Sequence, residues 1–138
     1  MLNKTRSAVL AFIAVAAFGV PALAEAVVID TTGLTFGRQN GFGAGGFETF
    51  GQTFTVGGGD TFLDYFALYL EKRTGGSGTL NLRGYIGDWD GSRPDNILYT
   101  SDTRTKNADD VLQEFLFDPD IVLTSGETYV AFLSIVNL

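Results

Sequence analysis

Residues 118–138 read DPDIVLTSGETYVAFLSIVNL, and their order decides the fold class. An apolar run, Ile121, Val122 and Leu123, leads into Thr124, Ser125 and Gly126, after which Tyr129 opens a strand-like segment over 129–135. This is the order of a tyrosine corner. In two-layer β folds with crossing connections, a Tyr at the start of a late strand sends its ring into the core. Its hydroxyl then meets a backbone group a few residues upstream. The two faces of the segment carry a further message. Tyr129, Ala131, Leu133 and Ile135 make one apolar face, and Val130, Phe132 and Val136 make the other nearly as apolar. Such a strand requires cover on both sides, so either the N-terminal segment pairs beside it or the fold uses strands beyond Leu138.

Working back from this stretch, alternation recurs in short segments. Residues 49–56 place Phe50, Gln52 and Phe54 on one face and Thr53 and Thr55 on the other, and Gly57, Gly58, Gly59 and Asp60 close them as a turn. Residues 62–70 carry Phe66, Leu68 and Leu70 at a spacing of two, and the Gly-rich turns at both ends favour a strand over a helix. The sequence KRTGGSG at 72–78 predicts a long hairpin into the next strand, where Leu80, Leu82 and Ile86 alternate with Asn81, Arg83 and Tyr85. That alternation predicts a half-buried antiparallel strand. Residues 87–96, GDWDGSRPDN, read as the most polar loop, 97–101 as a short strand, and 102–110 as polar loop again. Strand character resumes over 111–117 with Phe115 and Phe117 inward, until Pro119 removes a ladder donor. Short strands broken by turn residues at intervals of about 8–12 predict an all-β fold, an antiparallel two-sheet β-sandwich of jelly-roll or Greek-key type.

The first 24 residues read differently. Lys4 and Arg6 form a basic start, residues 8–20 are unbroken apolar, and Pro21 with Ala22, Leu23 and Ala24 supplies a helix breaker and a small-x-small cleavage site. This pattern is that of a secretory signal peptide, and the apolar run is shorter than the ~20 residues of a bilayer crossing. The expected organisation is a signal peptide over 1–24, an N-terminal strand and Gly-rich loop over 25–48, and the sandwich over 49–138. Residues 1–24 hold two of the nine basic residues and none of the sixteen acidic ones, which leaves seven against sixteen, a net of −9. A surface that acidic, with its basic residues scattered, excludes nucleic acid as a partner. There is no Cys, so no disulfide staples the fold, and no His, which removes the Ser-His-Asp triad and the usual zinc sites. Aromatic residues supply the core instead. Ten of the twelve Phe, all five Tyr and the single Trp lie beyond Ala24.

A set of short motifs then comes into view together. These are Gln52-Thr53-Phe54-Thr55, Trp89-Asp90-Gly91, Leu98-Tyr99-Thr100-Ser101, the pair Phe115 and Phe117, and Leu123-Thr124-x-Gly126-x-x-Tyr129-Val130-Ala131-Phe132-Leu133-Ser134. In this order and spacing, over about residues 51–134, the chain resembles the secreted β-sandwich proteins of Gram-negative bacteria that often carry a PEP-CTERM sorting tail. The resemblance implies a location outside the cytoplasm, secreted, at the cell surface or in the periplasm. It brings no catalytic residues. Those proteins usually continue to a Pro-Glu-Pro motif, a hydrophobic helix and a basic tip, and this sequence departs from them there, so anchoring by that route is not carried over.

Three groups of residues are candidates for chemistry. Asp88, Asp90 and Asp95, with Ser92 around Gly91, set oxygens in a short loop of the kind that suits calcium. The full calcium-loop pattern fails, because Tyr99 stands where a bidentate Glu belongs, and an ordinary Asx-rich turn is the competing reading. Trp89 reads as a stacking platform for a sugar ring, with Tyr85 near it on the outward face of its strand, or as a plug folded over the end of the sandwich. Glu71, Glu114 and Glu127 lie on or beside strands, the residue type glycoside hydrolysis uses, but any acidic sandwich offers such carboxylates. The Gly-rich residues 41–46 lack the Lys-Ser/Thr and following helix of a phosphate loop. The expected function is a non-enzymatic exported surface or extracellular-matrix protein without a cofactor. The alternative is a carbohydrate-binding module that holds extracellular polysaccharide with Trp89 and Tyr85, assisted by calcium. The oligomeric state is open.

Overall fold

In a computed structural model, the chain is described at residue 29 and over 41–43, 46–59, 61–71, 78–107 and 112–136. The signal peptide and nearly all of the first expected strand lie outside the described residues. Among those described there are only strands, all paired antiparallel: β1 Thr49–Thr55, β2 Phe62–Leu63, β3 Phe66–Leu70, β4 Leu80–Trp89, β5 Pro94–Thr100, β6 Arg104–Lys106, β7 Gln113–Phe117, β8 Ile121–Val122 and β9 Thr128–Ser134. No helix among them is long and apolar enough to cross a membrane.

The main sheet has the order β1-β9-β4-β5, and β6 pairs with the first part of β4. The last strand is therefore central. Gln52 faces Ala131 along one edge of β9 and Tyr85 faces Phe132 along the other, and its side chains are buried on both faces, Val130 and Phe132 on one and Ala131 and Leu133 on the other.

A ribbon forms the second element. β3 pairs with β7 from Phe66 opposite Phe117 to Leu70 opposite Gln113, and β2 pairs with β8 just beyond. Between these pairings residues 64–65 stand against 118–120, and Asp120 takes a φ of 49°. One strand thus carries an extra residue, a bulge that bends the ribbon.

Three expectations from the sequence are corrected here. β3 and β4 do not pair as the expected hairpin, since β3 pairs with β7 while β4 pairs with β9, β5 and β6, and residues 72–77 between them lie outside the described residues. The β3–β7 pairing stacks Phe66 on Phe117, with centroids 4.9 Å apart and planes at 26°, an aromatic cross-strand contact that sequence proximity does not reveal. The polar loop at 87–96 shrinks to 90–93, since Asp88 and Asn96 bond across the strands, the Asn96 amide donating to the carboxylate at 3.0 Å. The polar stretch at 102–110 contains β6, where the Thr105 hydroxyl donates to Asn81 Oδ1 at 2.9 Å.

The ribbon lies over one face of the sheet. Leu82 and Leu133 from β4 and β9 are buried with Phe115 and Phe117 from β7, and Phe66, Leu68, Leu80 and Tyr99 pack around them. Gly84 makes this closeness possible: a Cβ there would stand 2.7–2.8 Å from three carbons of the Phe117 ring. A second cluster of Val56, Leu123 and Tyr129 fills the end where the chain arches into β9. The tyrosine corner is formed as the sequence predicts, with the Thr124 N–H donating to the Tyr129 hydroxyl oxygen at 2.9 Å. Gly126, at a φ of 83°, lets the arch turn, and it joins the end of β1 by donating to Val56 O at 2.9 Å. Val56 N–H returns a bond to Glu127 O at 3.0 Å.

Candidate functional site

The most distinctive surface lies on the other face of the main sheet. Side chains alternate along a strand, so Leu82 and Leu133 pointing to the ribbon put Tyr85, Val130 and Phe132 on the far side, where they form a cluster with Trp89. The register of β4 against β5 shifts between Ile86 and Gly87 and again between Gly87 and Trp89, so that Trp89 ends opposite Pro94. Such irregularities re-aim a side chain at the end of a strand. Gly87 fits here because an added Cβ would stand 3.0 Å from Asn96 O.

Trp89 borders a shallow groove of about 180 Å³, lined also by Thr49, Gly51, Thr53, Pro94, Val130 and Phe132. Its character is mixed. Phe132 and Val130 supply an apolar floor, Gly51 lets β1 lie close to it because an added Cβ would collide with Phe132, and Thr49 and Thr53 also line the groove, the Thr49 hydroxyl lying 3.1 Å from Ser134 Oγ. The volume is below the ~300 Å³ at which pockets begin to enclose a ligand, so the groove suits one face of a flat ring or of an extended chain. A cleft of about 250 Å³ between β6 and β7, lined by Arg104, Gln113 and Glu114 among others, is bridged where Gln113 Nε2 donates to Thr105 O at 3.2 Å.

Of the two expected platform residues, only Trp89 meets the groove. Tyr85 does lie on the outward face, but it is 1% exposed, stacked on Phe132 with centroids 5.0 Å apart and planes at 13°. A ring closed in this way offers no face to a sugar. The sequence pattern called for a half-buried strand, whereas β4 is buried on both faces at Tyr85 and Ile86. Thr49, Gly51 and Thr53 were not singled out in the sequence. Their contribution depends on β1 lying beside β9, a pairing between opposite ends of the fold.

The loop at 88–95 organises around Asp90. Its Oδ1 accepts bonds from the Ser92 N–H at 2.8 Å, the Ser92 hydroxyl at 2.9 Å and the Arg93 N–H at 2.8 Å, and its Oδ2 accepts from Arg93 Nε at 3.3 Å. The Arg93 and Ser92 amides hold the Asp90 carboxyl well below the usual carboxylate range, at about 2. Gly91, at a φ of 101°, completes the turn. This is an Asx turn whose carboxylate is occupied by the donors of its own loop. Asp88 is engaged by Asn96, and Asp95 is exposed. Among the described residues no group of three or more His, Cys, Asp or Glu side chains gathers around one point, and Asp90 accepts four bonds from Ser92 and Arg93.

Among the other carboxylates, Glu114 accepts a bond from the Tyr69 hydroxyl at 2.7 Å across the ribbon, and Glu71 and Glu127 are exposed. Comparison with protein-family models, with curated proteins and with solved structures finds no match to this chain.

Proposed function

We propose that this chain is a non-enzymatic protein of the bacterial surface or extracellular matrix, exported by its first 24 residues and built as a two-sheet sandwich of jelly-roll or Greek-key type. One observation supports a structural role above the others. Every buried side-chain nitrogen or oxygen among the described residues has a hydrogen-bond partner within the fold. Polar groups committed in this way stabilise a structure. The test is turnover. Hydrolysis of a polysaccharide by the purified protein that survives repeated purification, and disappears in Glu114→Gln or Glu127→Gln, would replace this reading with a hydrolase.

The Trp89 groove favours a second reading, a carbohydrate-binding module. An indole with a proline opposite and threonines beside an apolar floor matches the needs of a sugar ring, which presents an apolar face and equatorial hydroxyls. The ligand would be an extended extracellular polysaccharide lying along the outer face. Binding on a glycan array that Trp89→Ala abolishes supports this reading, and an array without signal removes it. The two readings are compatible, since a matrix protein requires something to hold.

A further inference from the structure

The ribbon has an outer face as well as the one packed on the sheet. Phe66, Leu68, Phe115 and Phe117 turn inward, as do Leu63 and Ile121 at the other end, so Ala67, Tyr69, Leu116, Phe62 and Val122 turn outward. Across the strands Leu116 pairs with Ala67 and Val122 with Phe62, and Tyr65 stands at the bend between them. These side chains meet solvent: Phe62, Tyr65 and Tyr69 are 51%, 50% and 45% exposed, Leu116 47% and Val122 75%. Of the four exposed aromatic side chains among the described residues, three thus fall within 62–69. Single exposed apolar residues are ordinary, whereas a strip of them rimmed by polar groups marks a binding surface.

The rim carries mostly one sign of charge. Asp64, Glu114, Asp118 and Asp120 are exposed, and residues 61–71 and 112–123 contain no Lys or Arg. The cleft beside Glu114 and Leu116 brings in Arg104 from β6. Glu114 also holds the Tyr69 ring in place by accepting a bond from its hydroxyl at 2.7 Å. We infer that the outer face of the ribbon is a second polysaccharide-binding surface, one for a neutral glycan chain laid along Phe62, Tyr65 and Tyr69. It rests on the carbohydrate reading given above but uses a different site.

Size and charge select this occupant. The exposed apolar strip amounts to on the order of 500 Å². A standard protein interface takes about 800 Å² from each partner, and a second copy laid face to face would set these carboxylates against their own kind. Anionic polysaccharide and anionic lipid meet the same repulsion. A neutral sugar ring instead rests its apolar face on an aromatic ring while its hydroxyls donate to carboxylates at the rim. From 62 to 69 the chain spans at most about 23 Å, which gives room for several sugar rings in a row. Since the ribbon covers one face of the main sheet and the Trp89 groove lies on the other, the two surfaces face opposite ways, and one molecule can hold two glycan chains at once.

Co-sedimentation with particulate cellulose and chitin tests the inference, with a native gel containing alginate as the anionic comparison. The purified protein is expected to bind at least one neutral polymer and to run unretarded in alginate. Phe62→Ala combined with Tyr65→Ala is expected to weaken that binding about tenfold or more with unchanged far-ultraviolet dichroism. Val122→Asp sets a charge on the strip at its most exposed position and is expected to weaken binding too, which decides the matter if the double variant fails to fold. Trp89→Ala should leave the ribbon's share of binding in place. Binding that Trp89→Ala abolishes and the ribbon variants leave intact would overturn this inference alone, and no binding to either neutral polymer would overturn both sites. Stronger retention by alginate, or a dimer that Val122→Asp dissociates, would show a different occupant on this face and overturn it as well.

Discussion

Replacing Gly84 by Ala tests how the ribbon is held to the sheet. The new Cβ would stand 2.7 Å from Phe117 Cζ and 2.8 Å from Cε1 and Cε2. The Phe117 ring is 1% exposed, stacked on Phe66 and packed with Leu82 and Leu133, so it cannot swing away without displacing other core side chains. The Gly84 backbone is fixed as well, its N–H donating to Ser101 Oγ at 2.8 Å and its carbonyl accepting from Ser101 N–H at 2.9 Å. Overpacking of this kind costs about 1–3 kcal/mol. Against it stands the roughly 0.4–1 kcal/mol by which Ala restricts the unfolded chain more than Gly does. Overpacking wins, and Gly84→Ala is expected to lose about 1–2 kcal/mol, a fall in melting midpoint of about 4–16 °C. Urea unfolding should show the loss at an unchanged slope. Phe117→Leu trims the ring at the point of collision, so the double variant should be more stable than the two single losses predict, by about 0.5–3 kcal/mol. A neutral Gly84→Ala, or losses that simply add, would refute this packing.

Other outcomes follow from single contacts. Tyr129→Phe removes the acceptor of the Thr124 N–H and should cost about 1 kcal/mol, with faster hydrogen exchange at the Thr124 amide and little change elsewhere. Asp90 has a folded pKa of about 2 against an ordinary 3.8, so its contribution to the turn is complete above about pH 4 and disappears as the pH falls through 2. Amide resonances of Ser92 and Arg93 should move in that window, and a midpoint near 4 would contradict the bonds drawn to Asp90. Because the donors of its own loop occupy the Asp90 carboxylate, chelation should leave the melting midpoint where it is. A midpoint that falls with chelator and recovers with calcium would show the loop rearranging around a cation.

The features legible in the sequence were local ones. The tyrosine corner joins residues five apart, and its Thr-x-Gly turn and Tyr are written in order along the chain. The alternation of Leu80, Leu82 and Ile86 marked the correct face of β4, because a period of two needs no knowledge of the partner strand. Pairing was less legible. The stretch at 62–70 looked like one arm of a hairpin with β4, but its partner, β7, lies beyond two further strands, and the contacts between them, Phe66 stacked on Phe117 and Tyr69 bonded to Glu114, join residues far apart in sequence. β6 was hidden because Arg104, Thr105 and Lys106 show no apolar alternation, although Lys106 is buried with its Nζ donating to Asn107 O at 3.1 Å. The site divided along the same line. Trp89 stood out as the single Trp after an alternating strand, whereas the closure of Tyr85 and the threonines of β1 follow from the sheet order β1-β9-β4.

The single tryptophan gives the proposed site its own reporter. Titrating the protein with soluble polysaccharide while recording tryptophan emission observes Trp89 alone, with no variant needed. A ring stacking over the groove is expected to shift the emission to shorter wavelength in a saturable way. Polysaccharide that carries the protein with it in sedimentation, yet leaves the emission of Trp89 unchanged at saturation, would contradict the assignment.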